Sequence, residues 1–320
     1  MKLNSLGIIT LSKVIIPVFL LLNACLNSKF PPSDYEIGEV FLGSAYDLSL
    51  DNDYAYVAHN DGVAIIDISD LHEPIQISNI GDENGAFGVY IEEDKAYYGD
   101  EAANLCIEDI SDKNNPVSLS EFTITEALGD VKKIDTIIFG ASWNGKLVII
   151  DISDNETPEF MGSFDSGGQG IGLAYFNHTV YFANSAHGLI LIDVSDLSTP
   201  VKTALAEDSY GAWDIYIQDG FLYLGKHNRG FTIYKIEEDN SLSKVTSVNN
   251  GGEVYGICKE GDYLYVADLQ EGVEIWNISD KKYPTLDMTI EEYAPHDIEV
   301  RDGIIYLADQ DRSFVIIDIQ

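Results

Sequence analysis

The chain has 320 residues, of which 45% are hydrophobic and 11% aromatic, so it can bury a large core and does not have the composition of a disordered protein. It carries 54 acidic residues against 18 lysines and arginines, which gives a formal net charge of −36. Nucleic acids and anionic membrane surfaces attract proteins through basic patches. The charge therefore argues against a nucleic-acid partner and against electrostatic binding to a membrane.

Residues 1–24 have the pattern of a secretory signal peptide. Lys2 and Lys13 give the segment a basic start, and an apolar run follows at residues 14–22. That run has nine residues, whereas a helix that crosses a bilayer needs about 20. We therefore expect this segment to direct export.

The apolar run ends in Leu-Asn-Ala-Cys at residues 22–25, which resembles the lipobox of bacterial lipoproteins. The small Ala24 suits a signal peptidase cleft, and Cys25 is the predicted lipidation site. Residues 25–34 then form a lipidated tether, and the lipid is the membrane contact. An ordinary cleaved signal or an N-terminal anchor helix is the alternative. The lipobox predicts an exported protein anchored in the cell envelope, and Leu26, in place of an inner-membrane retention aspartate, favours the outer membrane or the cell surface.

A hydrophobic motif recurs at a fixed period through residues 35–320. Ile-Ile-Asp-Ile-Ser-Asp at residues 65–70 returns, with substitutions, at residues 107–112, 149–154, 191–196, 233–236, 275–280 and 316–319. Positions equivalent to Asp67 are 42 residues apart five times and 41 residues apart once. Two strand-like stretches precede each motif, and in most units a proline after it opens a fourth. Four antiparallel strands repeated at this period form a propeller blade, so the sequence predicts an all-β, seven-bladed β-propeller.

The seventh unit stops at Gln320, directly after its third strand. Its missing fourth strand is available in residues 37–42, which precede the first unit. We expect this N-terminal strand to complete the last of the four-stranded antiparallel blades. The ring is then closed, which removes the open sheet ends that would otherwise aggregate.

The repeated motif is similar to the LVIVD repeat of bacterial and archaeal cell-surface proteins. Leu-Val-Ile-Ile-Asp at residues 147–151 and Gly-Leu-Ile-Leu-Ile-Asp-Val-Ser-Asp at residues 188–196 carry the resemblance, which extends over nearly all of residues 35–320. It implies a propeller at the cell surface and no general activity. The fifth unit departs from the family pattern, because residues 235–239 replace the signature and Leu242 stands where proline is expected.

Aromatic side chains recur at one repeat position just before the innermost strands. The candidate ligand-binding residues at this position are Tyr46, Phe87, Trp213, Tyr255 and His296. The fourth unit has Ile171 there and the third has Gly129, which breaks the pattern. Tyr and Trp offer a rigid apolar platform with a polar tip, which suits sugar rings and partner side chains. The alternative is that these rings plug the narrow channel as packing.

The next position alternates between aspartate and glycine around the ring. The candidate metal ligands are Asp47, Asp130, Asp214 and Asp297, with glycine at 88, 172 and 256. Four carboxylates that converge on an axis can hold a hard cation such as Ca²⁺. In the other interpretation, each aspartate accepts backbone N–H groups where strands crowd together, and glycine is used for its small size. No cofactor other than this Ca²⁺ is expected.

The sequence contains no recognisable catalytic motif. The loops between second and third strands hold scattered carboxylates and histidines, including His187 and His227, in different units. A hydrolase or lyase that acts on a cell-envelope polysaccharide could use them, and this is the alternative function. The preferred function is a monomeric binding module for a cell-envelope protein or glycan. Cys106 and Cys258 fall on non-adjacent units and are expected to be free, buried thiols.

Overall fold

The computed structural model describes residues 35–81 and 84–319. These residues form 28 β-strands in seven four-stranded antiparallel sheets. The predicted signal peptide, Cys25 and the tether lie outside the described residues. Within the described range, no helix is long and apolar enough to cross a bilayer.

The first strand and the first three blades run from residue 36 to residue 165. Their strands are β1 (Glu36–Val40), β2 (Ala45–Asp51), β3 (Tyr54–His59), β4 (Gly62–Asp67), β5 (Ile75–Ile80), β6 (Ala86–Glu92), β7 (Lys95–Asp100), β8 (Asn104–Asp109), β9 (Val117–Thr123), β10 (Leu128–Ile134), β11 (Ile137–Ser142), β12 (Lys146–Asp151) and β13 (Glu159–Asp165). Blade 1 is β2–β5, blade 2 is β6–β9 and blade 3 is β10–β13. In each blade the strand order in the sheet is the order in the chain.

The remaining four blades run from residue 170 to residue 318. Their strands are β14 (Gly170–Phe176), β15 (Thr179–Asn184), β16 (Gly188–Asp193), β17 (Val201–Leu205), β18 (Ala212–Gln218), β19 (Phe221–Lys226), β20 (Gly230–Ile236), β21 (Leu242–Val248), β22 (Val254–Glu260), β23 (Tyr263–Asp268), β24 (Gly272–Asn277), β25 (Thr285–Ile290), β26 (Pro295–Arg301), β27 (Ile304–Asp309) and β28 (Ser313–Asp318). Blades 4, 5 and 6 are β14–β17, β18–β21 and β22–β25. Blade 7 has the order β1-β28-β27-β26. The first strands β2, β6, β10, β14, β18, β22 and β26 touch one another in turn around a closed ring, which confirms the predicted fold.

The N-terminal strand closes blade 7 as predicted. In the β1–β28 ladder, Val40 lies opposite Phe314, and the backbone N–H of Leu42 donates to Ser313 Oγ at 2.7 Å. The closure also contains a buried ion pair between Arg312 and Glu36, and the Arg312 guanidinium lies 5.0 Å from the centre of the Tyr293 ring. Backbone pairing and a buried charge pair thus join the two ends of the described chain.

The core consists of seven hydrophobic clusters, one between each pair of neighbouring blades. Successive residues of a strand point to opposite faces of its sheet. On β4, Ile65 packs toward blade 2, and Ile66 packs toward blade 7. The third strand of a blade is buried on both faces, so the repeated motif is a continuous apolar run and not an alternating one.

The end of the repeated motif forms two consecutive turns closed by aspartate side chains. In blade 1, Asp67 accepts the N–H of Ser69 at 2.9 Å, and Asp70 accepts the N–H of His72 at 3.0 Å. The same two turns occur in blades 2, 3, 4 and 6, with Asn277 in place of the first aspartate in blade 6. The Ser-Asp signature therefore turns the chain toward the proline that precedes the edge strand, where a missing N–H costs nothing.

The two cysteines of the described chain lie in different blades, as the repeat alignment predicts. Cys106 belongs to the core cluster between blades 1 and 2, and Cys258 to the cluster between blades 6 and 7. Both are free and buried, and burial raises the pKa of each thiol. These cysteines therefore serve as small apolar core residues.

Candidate functional site

A β-bulge lies at the start of the innermost strand in every blade. In blade 1 the register jumps between Ala45 and Asp47, which leaves Tyr46 as the extra residue. The same irregularity falls at the equivalent position in the other six blades. A bulge releases one residue from the ladder and redirects its side chain. The bulge therefore directs the side chain at the predicted site position toward the channel mouth.

The five predicted aromatic side chains form one continuous arc around the channel mouth, called here the aromatic rim. Neighbouring ring centroids are 5.2 Å apart for Phe87–Tyr46, 5.5 Å for Tyr46–His296, 5.2 Å for His296–Tyr255 and 4.7 Å for Tyr255–Trp213. All five rings are half-buried. The arc follows blades 2, 1, 7, 6 and 5, so it surrounds most of the channel.

Two further rings extend the aromatic rim at its ends. Trp143, from the β11–β12 loop, lies edge-on to Phe87 at 5.3 Å, and His227, from the β19–β20 loop, stacks on Trp213 at 4.9 Å. A Cβ at Gly129 would lie 3.4 Å from the Trp143 ring. The third unit therefore has glycine at the rim position because the tryptophan of its own loop fills that place.

Hydrogen bonds hold several rim rings in position. The His296 Nδ1–H donates to the Ala45 carbonyl at 2.7 Å, which fixes the orientation of the imidazole and leaves Nε2 as an acceptor in the neutral ring. The Tyr46 hydroxyl donates to Asn60 Oδ1. His227 Nε2 lies 3.3 Å from the Tyr255 hydroxyl. The rim is therefore preorganised, so a ligand would not have to order it.

Below the aromatic rim, the four predicted aspartates form hydrogen bonds between neighbouring blades. Each carboxylate accepts a backbone N–H from the first strand of the next blade: Asp47 from Val89 at 2.6 Å, Asp130 from Leu173 at 2.9 Å, Asp214 from Ile257 at 2.8 Å and Asp297 from Leu48 at 3.1 Å. At the alternating glycines the strands approach too closely for a side chain. A Cβ at Gly256 would lie 2.8 Å from the Asp297 Cα. These contacts are those of the interpretation in which each aspartate accepts backbone N–H groups and glycine is used for its small size.

Sequence reasoning missed the lysine that lies among these aspartates. Lys132 Nζ is 3.1 Å from Asp130 Oδ1, on the same strand. Burial opposes the ionisation of Lys132, but the charges of Asp130, Asp47 and Asp214 outweigh it and raise the lysine pKa. Among the residues described, no three His, Cys, Asp or Glu side chains are grouped to hold a metal ion. An ammonium group thus supplies positive charge where the Ca²⁺ hypothesis places a metal, and that hypothesis stays a prediction.

The channel carries more carboxylate than this lysine neutralises. Burial, followed by the charge of Asp297, raises the pKa of Asp214 to about 7 and that of Glu299 to about 8. The same two causes raise the pKa of Asp47. The aromatic rim and these carboxyl groups line one cavity of about 710 Å³. The site is therefore a cavity with the aromatic rim at its mouth and carboxyl groups below. The cavity is called here the funnel, and Asp47, Asp130, Asp214, Asp297 and Glu299 are called its acidic floor.

Two of the loop carboxylates that were candidates for catalysis accept several backbone N–H groups. Asp268 Oδ1 accepts backbone N–H groups from Glu253, Gln270 and Glu271. Asp309 Oδ1 accepts the backbone N–H groups of Asp311 and Arg312. His187 lies in the loop of blade 4, whereas His227 has joined the aromatic rim beside Tyr255. The structure therefore does not bring the two candidate histidines together into one acid–base pair.

Fold and channel mouth together define a seven-bladed β-propeller that carries an aromatic site over the axis. The LVIVD repeat model matches residues 42–81, 85–123, 138–166, 179–204, 251–291 and 295–319. These segments make up more than half of the chain, and the protein belongs to the LVIVD repeat family. The unmatched stretch at 205–250 contains blade 5, where the signature is most altered. No curated protein sequence matches the chain significantly.

Three solved structures with similar folds are distant from this chain in sequence. A chain of a mitotic checkpoint complex has a TM-score of 0.71 at 13% identity, covering 91% of this chain and 98% of its own. The Cps50 (Swd1) β-propeller domain of Myceliophteria thermophila has a TM-score of 0.70 at 11% identity, with 89% and 99% covered. A functionally unknown protein from Desulfotomaculum acetoxidans has a TM-score of 0.67 at 13% identity, with 82% and 91% covered. At these identities the likeness concerns the fold alone.

Proposed function

We propose that the protein is a binding module of the cell envelope that captures a protein or glycan partner at its aromatic rim. The observation that carries the proposal is the unbroken arc of rings from Phe87 to Trp213, with neighbouring centroids about 5 Å apart. Aromatic side chains dominate the energetics of protein interfaces because they bury much area with few rotatable bonds. A preorganised aromatic surface loses little entropy on binding.

The geometry favours binding over packing as the role of the rim. The core of each blade interface is already filled by its own hydrophobic cluster. The rim rings instead stay half-buried above a cavity of about 710 Å³, which is within the range of ligand pockets. Segments from all seven blades line this cavity, and sites of this kind are common on a rigid scaffold.

The location in the cell envelope is supported by the lipobox at residues 22–25 and by the family resemblance. In this proposal Cys25 carries the lipid, and residues 25–34 tether the propeller to the outer membrane or the cell surface. The hydrolase or lyase alternative has less support, because Asp268 and Asp309 are engaged in hydrogen bonds to the backbone of their own and adjoining loops.

A pull-down from the protein's own cells in mild detergent tests the proposal. The full chain is compared with a Trp213→Ala/Tyr255→Ala/His296→Ala variant. A matched control replaces Phe176, Tyr263 and Tyr283, three exposed aromatics on the opposite face of the ring. We expect a stoichiometric partner that is retained by the control and lost from the rim variant. A partner that the rim variant still captures would refute the proposal, provided that circular dichroism shows all three proteins folded.

A further inference from the structure

Acidic side chains accompany the aromatic rings at two levels of the funnel. At the rim, Glu253 Oε2 lies 4.0 Å from His227 Nε2. Burial raises the pKa of Tyr46 and Tyr255, and the charges of Glu101 and Glu253, respectively, add to that rise. Deeper in the cavity, the described lining residues include five carboxyl groups and two lysines. The carboxyl groups are Asp47, Asp130, Asp214, Asp297 and Glu299.

Neither of these lysines neutralises the whole floor. Lys132 contacts Asp130 at 3.1 Å, and Lys259 Nζ is turned to Gln218 Oε1 at 2.7 Å. Burial and the charge of a neighbouring carboxylate raise the pKa of Asp214 and Glu299, as expected for acids without enough positive charge near them. A cation that entered the funnel would relieve this repulsion.

We propose that the funnel binds the positively charged side chain of a partner protein, a lysine or an arginine. This inference rests on the function proposed above and names the group that the aromatic rim recognises. The faces of Trp and Tyr rings carry negative electrostatic potential and attract ammonium and guanidinium groups. The carboxylates of Glu101 and Glu253 add direct attraction, and the net charge of −36 draws a basic partner to the surface.

Other ligand classes use only part of this arrangement. A neutral sugar would stack on the rings but gain nothing from the acidic floor. An anionic ligand would be repelled by the carboxylates. A basic side chain uses both features, because its apolar stem can lie against the rings while its charged end faces the acids. Charge complementarity therefore selects the cationic side chain.

Titration with small probes tests this inference directly on the full chain. The probes are N-acetyl-arginine amide and N-acetyl-lysine amide, with N-acetyl-citrulline amide as a neutral control of nearly the same shape as arginine. Tryptophan fluorescence reports binding, because Trp143 and Trp213 are two of the three tryptophans and both belong to the extended rim. We expect at least one cationic probe to bind about tenfold more tightly than citrulline, and added salt to weaken that binding.

Charge variants provide the matched control. Replacing Glu101 and Glu253 by glutamine removes two rim charges and should weaken binding of the cationic probe by about tenfold. Replacing the exposed Glu93 and Asp262 of the opposite face by their amides changes net charge equally and should leave the affinity within about twofold. Equal binding of citrulline and of the cationic probes, or no saturable binding of either cation, would overturn the inference.

The two proposals fail separately. If the rim variant Trp213→Ala/Tyr255→Ala/His296→Ala keeps its cellular partner, the proposed function is wrong. If that partner is lost but the probes show no preference for positive charge, the rim is a binding surface and the inferred ligand class alone is wrong.

Discussion

Glu299 offers the most direct test of the electrostatics assigned to the channel. It lies on β26, two residues after Asp297, and it lines the same cavity. Burial is the main cause that raises its pKa to about 8, followed by the charge of Asp297, and the charges of Lys132 and Arg301 oppose the rise. The Glu299→Gln variant removes this titration and keeps the size of the side chain.

The sign of the effect follows from proton linkage. Below its ordinary pKa of 4.5, the carboxyl of Glu299 is neutral in both the folded and the unfolded chain. As the pH rises toward 8, the unfolded chain loses its proton and the folded chain keeps it, so the free energy of unfolding falls. Each pKa unit corresponds to about 1.36 kcal/mol. The rise from 4.5 to about 8 therefore predicts that Glu299→Gln is more stable than the wild type by up to about 5 kcal/mol above pH 8, and that it matches the wild type near pH 4.

Urea unfolding followed by tryptophan fluorescence, at about pH 4.5 and about pH 9, measures this difference. Glu291→Gln, an exposed change in the loop before β26, is the matched control and should show the same stability difference at both pH values. If Glu299→Gln gained no stability between the two pH values, Glu299 would titrate normally, and the channel would not be the crowded acidic site described.

Three further predictions concern ring closure, blade spacing and the thiols. Arg312→Met removes the guanidinium that forms an ion pair with the buried Glu36 and should lower the free energy of unfolding by about 3–5 kcal/mol in urea. Gly256→Ala places a Cβ 2.8 Å from a backbone atom of blade 7, and calorimetry should show a loss of about 1–3 kcal/mol. Cys106 and Cys258, buried with raised thiol pKa values, should react with a thiol reagent only after denaturation.

A different outcome would contradict each of these three predictions. The Arg312→Met/Glu36→Gln double variant should recover part of the lost stability, and no recovery would show that the ion pair is not the cause. Gly129→Ala is the control for blade spacing, because its Cβ would meet nothing closer than 3.3 Å, and an equal loss at both glycines would refute the close-approach argument. Rapid labelling of either cysteine in the folded protein would contradict its burial.

The fold was predictable because a repeat presents the same pattern seven times. A third strand buried on both faces needs a continuous apolar run, and the Asp-Ser turn that ends it needs fixed side chains, so the period is visible in the sequence. The closing role of residues 37–42 followed from the missing strand of the last unit. Blade 5 was predicted in spite of its altered signature, because its spacing is unchanged. In that blade Asp239 closes a different turn by accepting the N–H of Ser241.

The site was predictable only where a residue's role follows from its repeat position. Tyr46 and Trp213 share one position and were found in this way. Trp143 was not assigned to the rim, because its ring reaches Phe87 from a different loop. Lys132 was missed although it follows Asp130 by two residues, and residues two apart on a strand share a face. That spacing was the available signal, but partners such as Arg312 and Glu36, 276 residues apart, leave no local pattern.

The central claim, that the aromatic rim is the surface on which a partner binds, is tested most directly by photo-crosslinking in living cells. A benzophenone amino acid replaces Tyr46 in one strain and Tyr263, on the opposite face, in another. We predict that irradiation yields a discrete adduct with a partner from position 46 and none from position 263. An adduct from position 263 alone, or none from position 46 while the protein is folded and abundant, would contradict the claim.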